Sequence, residues 1–197
     1  MTMNPVHHNQ LLTVAILMGC SGSGKSTQAA KMAESFLNAN PKGRVVHCSA
    51  DNYPGLYTRP EGPATLKPSI NFALLGAAHA ACFRAFIDAC SHSWAAMPER
   101  LTLVIVDNTN TSAEEIAPYI QGARAFGCEP TVHLVEAFAA PHRHTGAVYE
   151  MGAHQLAARN VHGAPSGAIQ GQLDRIAAVV DAWPPFWPKV ERHANRQ

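Results

Sequence analysis

Apolar residues run almost unbroken from Leu11 to Met18 (LLTVAILM) and again from Leu101 to Val106 (LTLVIV). Runs this short, rich in branched side chains, predict strands buried on both faces, as in a parallel sheet covered by helices. Arg44–Cys48 and Thr131–Val135 predict two further strands. Between the strands the spacing turns helical. Lys25–Asn40 predicts a helix broken by Asn40-Pro41-Lys42-Gly43, and Ser69–Ala89 predicts an Ala-rich helix. Ser112, with Glu115 completing a capping box, opens a helix that stops at Gly127. Ala153–Asn160 is a short lid helix and Ser166–Ala182 a final helix. Strand–helix alternation predicts an α/β fold with a parallel sheet and helices on both faces. Ligands in such sheets bind at the carboxyl ends of the strands.

Two stretches break the alternation. Ser49–Pro68 is a Pro-, Gly- and Tyr-rich connection, long enough to suggest a functional loop. Ala139–Gly152 is irregular, and a lid is expected around Phe138–Gly152. Residues 1–10, with His7-His8, read as a flexible leader, and 11–182 as the folded domain. Residues 183–197 read as a Trp/Pro-rich tail whose Trp183, Phe186 and Trp187 pack onto the body.

Composition narrows this modestly. The chain has 197 residues, 47% hydrophobic and only 15% charged, which suits one packed domain and not disorder. A net charge of +1 supplies no overall field for nucleic acid. The five cysteines form no CxxC pair, so neither a disulfide scaffold nor a zinc site is expected. The Leu11–Met18 run is too short to cross a bilayer. The expectation is a cytoplasmic protein with no membrane association and no obligate protein partner.

The first strand leads into Gly19-Cys20-Ser21-Gly22-Ser23-Gly24-Lys25-Ser26-Thr27, a glycine, four residues, then Gly-Lys-Ser. Between a strand and a helix this spacing reads as a phosphate-binding loop. Glycines let the backbone N–H groups turn inward on an anion, and the helix N-terminus adds its dipole. Gly22, Ser23, Gly24, Lys25, Ser26 and Thr27 are the candidate binding residues for ATP. Lys25 reaches for the β- and γ-phosphates, and Ser26 offers its hydroxyl to Mg2+. Cys20 reads as filler, because the loop works through its backbone.

Other polar residues fall at strand ends. Asp107 ends the third strand and suits a metal role beside Ser26. The amides of Asp107-Asn108-Thr109-Asn110-Thr111 are candidates to orient phosphate, metal-bound water or acceptor, or to serve the turn. Asp51 follows the second strand, where a carboxylate facing the γ-phosphate can take the proton of an attacking hydroxyl. Tyr53 and Tyr57 either stack a base or roof the cleft. His79 reads as a core or groove histidine, with a substrate contact as the alternative. Arg159 is a candidate lid arginine for charge on the transferred group. Arg143, between His142 and His144, is a second candidate or a solvated loop.

Taken in order, Met18 to Thr27, Ser49-Ala50-Asp51-Asn52-Tyr53, Ala78-His79, Val106 to Thr111 and Arg159-Asn160-Val161-His162-Gly163-Ala164-Pro165 resemble the P-loop kinases related to phage-type polynucleotide 5′-hydroxyl kinase, including the small bacterial AAA-like ATP-binding proteins. The resemblance covers about residues 11–175. It implies a sheet with the phosphate-loop strand in the middle, ATP and Mg2+ at Gly22–Thr27, Asp51 as general base and Arg159 on the donor phosphates. The family's acceptor-gripping arginines are replaced by Ala50 and Pro54, and Arg59 or Lys67 is a candidate substitute. The expected activity is transfer of a γ-phosphate to a hydroxyl, first a polynucleotide 5′ end. The alternatives are a nucleotide or other small alcohol as acceptor, and an ATP-dependent switch without one.

Overall fold

In the computed structural model, residues 11–58, 67–95, 101–139 and 148–196 are described. The chain alternates as the apolar pattern predicts. In order, it forms β1 (Leu12–Met18), α1 (Lys25–Ala39), β2 (Arg44–Cys48), β3 (Tyr57–Thr58), β4 (Ser69–Ile70), α2 (Phe72–Ala95), β5 (Thr102–Val106), α3 (Ala113–Ala125), β6 (Thr131–Phe138), α4 (Ala153–Arg159), α5 (Ser166–Asp181) and β7 (Val190–Arg196). Five strands make one sheet in the order β2-β5-β1-β6-β7, and every neighbouring pair is parallel. β1 therefore sits in the middle, with the phosphate loop at its carboxyl end.

Alternate residues of β1 face opposite layers. Leu12, Val14, Ile16 and Met18 join the larger core with α2, α3 and the later helices, while Ala15 and Leu17 pack toward α1 through Ala29, Met32 and Phe36. This two-sided burial is why the strand sequence shows no polar alternation. Helix α2 is long and apolar enough, by length and composition, to cross a membrane over Phe72–Ser93. Its Ala78, Cys82, Phe86, Ala89 and Cys90 are instead buried in the core, on one helical face. Phe86 meets Tyr119 edge-on at 5.1 Å between ring centroids.

Several expectations need correction. Helix α2 begins at Phe72, because Ser69–Ile70 pair antiparallel with Tyr57–Thr58 and tie off the base of the long connection. Ser112 precedes α3 but makes no side-chain cap; Glu115 reaches back to the amide and hydroxyl of Thr111 instead. Strand β6 continues to Phe138, and its end is zipped to the far side of the irregular stretch by Ala139 N to Tyr149 O and Met151 N to Ala137 O. The tail is not a mere appendage, since Val190–Arg196 extends the sheet as its last strand. The sequence VERHANR carries charges and little β-branching, which hides a strand from pattern reading. Such a strand suits a sheet edge, where charge discourages further pairing. The tail aromatics do pack as expected: Trp183 meets Trp187 edge-on and donates to Pro188 O, although Phe186 stays exposed. The leader, Arg59 and Arg143 with its flanking histidines lie outside the described residues.

Candidate active site

The carboxyl ends of β1, β2 and β5 open into a cleft of about 720 Å3, with α4, α5 and the start of α2 opposite. The loop after β1 forms its floor. Gly22 (φ +84°) and Gly24 (φ +97°) adopt left-handed backbone that favours glycine. A Cβ on Gly22 would stand 2.4 Å from the Leu156 carbonyl oxygen, so the lid helix α4 closes directly on the loop. Gly24 precedes α1 without a capping side chain, and the first-turn N–H groups of a helix have no intrahelical acceptor. Lys25, Ser26 and Thr27 line the cleft at that turn, as do Gly22 and Gly24. The loop itself is braced by Gly19 N to Thr109 O, Ser23 N to Cys20 O and Ser21 N to Gln172 Oε1.

Ser23 turns its side chain away from the cleft. It is wholly buried beneath the loop, its carbonyl accepts from Asn195, and its hydroxyl is the buried side-chain polar atom without a partner among the described residues. Cys20 is buried with its thiol pushed up by that burial, consistent with a filler.

Lys25 Nζ donates to Cys20 O at 3.0 Å. Burial pulls its ammonium below the ordinary lysine value, opposed by the charges of Asp107, Cys20 and Asp51. Asp107 is buried at the end of β5. Burial pushes its carboxyl up, but the His47 ring, the Lys25 charge and the Ser26 hydroxyl outweigh it and hold the group below the ordinary carboxylate value. His47 Nε2 lies 3.1 Å from Asp107 Oδ2. A hydroxyl bonded to an ionised carboxylate beside an ammonium is a hard-oxygen pair of the kind Mg2+ takes. Ser26 and Asp107 thus fit the expected ion.

Asp51 sits across the cleft mouth in a short 3-10 turn, Ala50–Asn52. Tyr57 donates to Asp51 Oδ1 at 2.6 Å, and His162 Nε2 lies 3.6 Å from Oδ2. The two rings stack on each other, centroids 4.4 Å apart. Burial, then the bond to Asp51, holds the Tyr57 phenol well above its ordinary value, so it remains the donor. Of the two tyrosines singled out in sequence, Tyr57 thus orients a carboxylate. Arg159 ends α4, lines the cleft and touches Met151 Sδ at 3.1 Å. His79 also lines the cleft.

Two readings of the sequence fail here. The amides of Asn108 and Asn110 are buried and structural: Asn108 bonds Ala50 N and Tyr119 OH, and Asn110 Nδ2 donates to Leu17 O at 2.7 Å. They lock the strand ends together, which is the turn role rather than the ligand role. Lys67 does not replace an acceptor arginine, since its ammonium caps the end of α4 on the carbonyls of Ala157 and Ala158. Conversely, pattern reading missed Gln172, His47 and Arg175, and it held His162 only as a member of the Arg159–Pro165 motif, without a role. Arg175 lines the cleft from α5 and donates from Nε to Thr111 Oγ1 at 3.0 Å. No local motif announces Gln172, Arg175 or His47, which reach the site from α5 and β2, far along the chain from the phosphate loop.

A family model described as AAA domain (AAA_33) matches residues 14–182. The chain belongs to this AAA domain family. Its fold is that of a P-loop NTPase, as a crystal structure of Chaetomium thermophilum Kti12 in complex with ADP-AlF3 also indicates: TM-score 0.52, 11% identity, 92% of this chain and 88% of that one covered. The crystal structure of APE1195 matches with TM-score 0.47 and 14% identity, over 93% of this chain and 86% of that one. No curated protein matches the chain. Within this AAA domain the matched region spans the phosphate loop, the 3-10 turn with Asp51 and the lid helix, and stops short of β7.

Proposed function

We propose that this AAA domain is an ATP-dependent phosphotransferase that moves a γ-phosphoryl group onto a hydroxyl acceptor, with a polynucleotide 5′-hydroxyl as the leading candidate. The observation that carries the reading is Asp51, exposed at the cleft mouth, with Tyr57 bonded to one of its oxygens and His162 3.6 Å from the other. An ATP-driven switch has no need of such a carboxylate. In the proposed step the acceptor oxygen attacks the γ-phosphorus, its proton passes to Asp51, and the bond to the β-γ bridging oxygen breaks to release ADP. Loop amides of Gly22–Thr27 and the Lys25 ammonium cradle the triphosphate, and Arg159 closes from the lid over the charge on the transferred group. Ser26 and Asp107 would hold Mg2+, which when bound supplies further charge neutralisation on the phosphates.

A second acceptor class is favoured by a specific feature. Ala50 and Pro54 offer no cation at the acceptor side, and Ile70, Phe72, Leu75 and His79 line the wall there. That wall suits a nucleoside or another small alcohol better than an anionic strand end.

γ-Labelled ATP incubated with 5′-hydroxyl DNA and RNA, nucleosides and sugars tests both. Label in an acceptor supports transfer, and the acceptor labelled selects the class. Slow release of free phosphate alone indicates a switch and overturns the proposal. Asp51→Asn is expected to keep nucleotide affinity while lowering transfer about a hundredfold or more; equal loss of both would remove Asp51 from the base role.

A further inference from the structure

On the α1 side of the sheet, away from the cleft, three side chains from β6 and β7 converge. The strands pair His133 with Glu191 and Val135 with His193, so His133, Glu191 and His193 project from the same face. His133 Nδ1 lies 2.8 Å from His193 Nε2 and 3.3 Å from Glu191 Oε2, and His193 Nε2 lies 3.9 Å from the same Glu191 oxygen. Four-coordinate zinc with bonds of about 2.0–2.1 Å holds its ligand atoms about 3.4 Å apart, and the three distances bracket that value.

Hydrogen bonding alone serves this triangle poorly. One ring proton makes one straight hydrogen bond, which leaves another lone pair facing a nitrogen or the carboxylate. A cation satisfies all three at once. The far nitrogen of His193, Nδ1, meets the Gln28 side-chain amide at 3.2 Å. Partners of this kind on the second nitrogen are what orient metal-binding histidines; turning the amide places its carbonyl oxygen on the Nδ1 proton. His133 is buried, but Glu191 is 58% exposed, which leaves an entry path and an open coordination position.

We propose that His133, Glu191 and His193 bind one divalent transition-metal ion of the zinc type, which clamps the last strand onto the sheet. Two imidazoles and one carboxylate select such an ion over Mg2+ or Ca2+, which prefer oxygen. The clamp has a second contact with consequence. Further along β7, Asn195 Nδ2 donates to Ser23 O, so a fixed β7 also braces the phosphate loop from beneath.

The test uses the full chain without a histidine tag, free of nucleotide and Mg2+. Calorimetry with ZnCl2 is expected to give one ion per chain with micromolar or tighter affinity. Co2+ is expected to give the intense visible bands of a tetrahedral site. Zn2+ is expected to raise the melting temperature by several degrees. The double variant Glu191→Gln/His193→Gln, checked for folding by circular dichroism, is expected to lose all three responses. A wild-type protein without stoichiometric binding, or a folded variant that binds as the wild type does, overturns the site. Should the variant not fold, the wild-type cobalt spectrum decides, since only weak octahedral bands would also overturn it.

Discussion

Single residues set the limits of the nucleotide site. Gly22 shows this most sharply, because two independent constraints meet there. Its φ of +84° disfavours any side chain, and an added Cβ would press on the Leu156 carbonyl. Backbone cannot swing away as a side-chain tip can. Gly22→Ala is therefore expected to cost about 1–3 kcal/mol in strain, and to weaken ATP binding as well, because relief requires the loop or α4 to move. Urea unfolding and nucleotide titration of the same variant check both. Unchanged affinity with lowered stability would mean that α4 yields and the loop does not. Asp51 is a different case. Its residue type was readable from the chain, but its partners were not, since His162 comes from the segment after α4 and meets it only in the folded molecule.

At the scale of elements, the buried strands and the loop-to-helix junction are legible because their signals are local. LLTVAILM needs no distant information to read as a two-sided strand, and it becomes one over Leu12–Met18. Element ends were less legible. The first turn of the expected helix at Ser69 was lost to a two-residue pairing with Tyr57–Thr58, a contact across a long connection. Helix α2 contributes its stability through one face. Phe86 on that face is fully buried against Phe83 and Tyr119. Phe86→Ala leaves a large void between α2 and α3, and the expected loss is about 3–5 kcal/mol, readable as a shift of the urea midpoint. A loss below about 1 kcal/mol would show that the two helices collapse together to fill the space.

For the molecule as a whole, the five cysteines report on how closed the fold is. All five are free and buried. Burial pushes the thiols of Cys48 and Cys90 up to about 12 and raises Cys20, Cys82 and Cys128 as well. Thiolate is the reactive form, so native protein at pH 8 is expected to react with a chromogenic disulfide only slowly, and all five to react at once in denaturant. Fast reaction of one thiol in the native state would identify a part of the fold that opens readily.

The sequence by itself determined the phosphate loop, the central strands, the parallel α/β architecture and the identity of Lys25, Asp51, Ser26, Asp107 and Arg159 as the side chains around the cleft. Those features rest on nearest-neighbour chemistry: glycine conformations, helix starts and apolar runs that read the same in any context. Tertiary structure alone decided that VERHANR is a strand, that Asn108 and Asn110 are latches, that Lys67 is a helix cap, and that His133, Glu191 and His193 share one point. Each of these depends on register between segments brought together from afar — His133 and His193 stand 60 positions apart — and a one-residue slip in pairing would turn those side chains to the opposite face of the sheet.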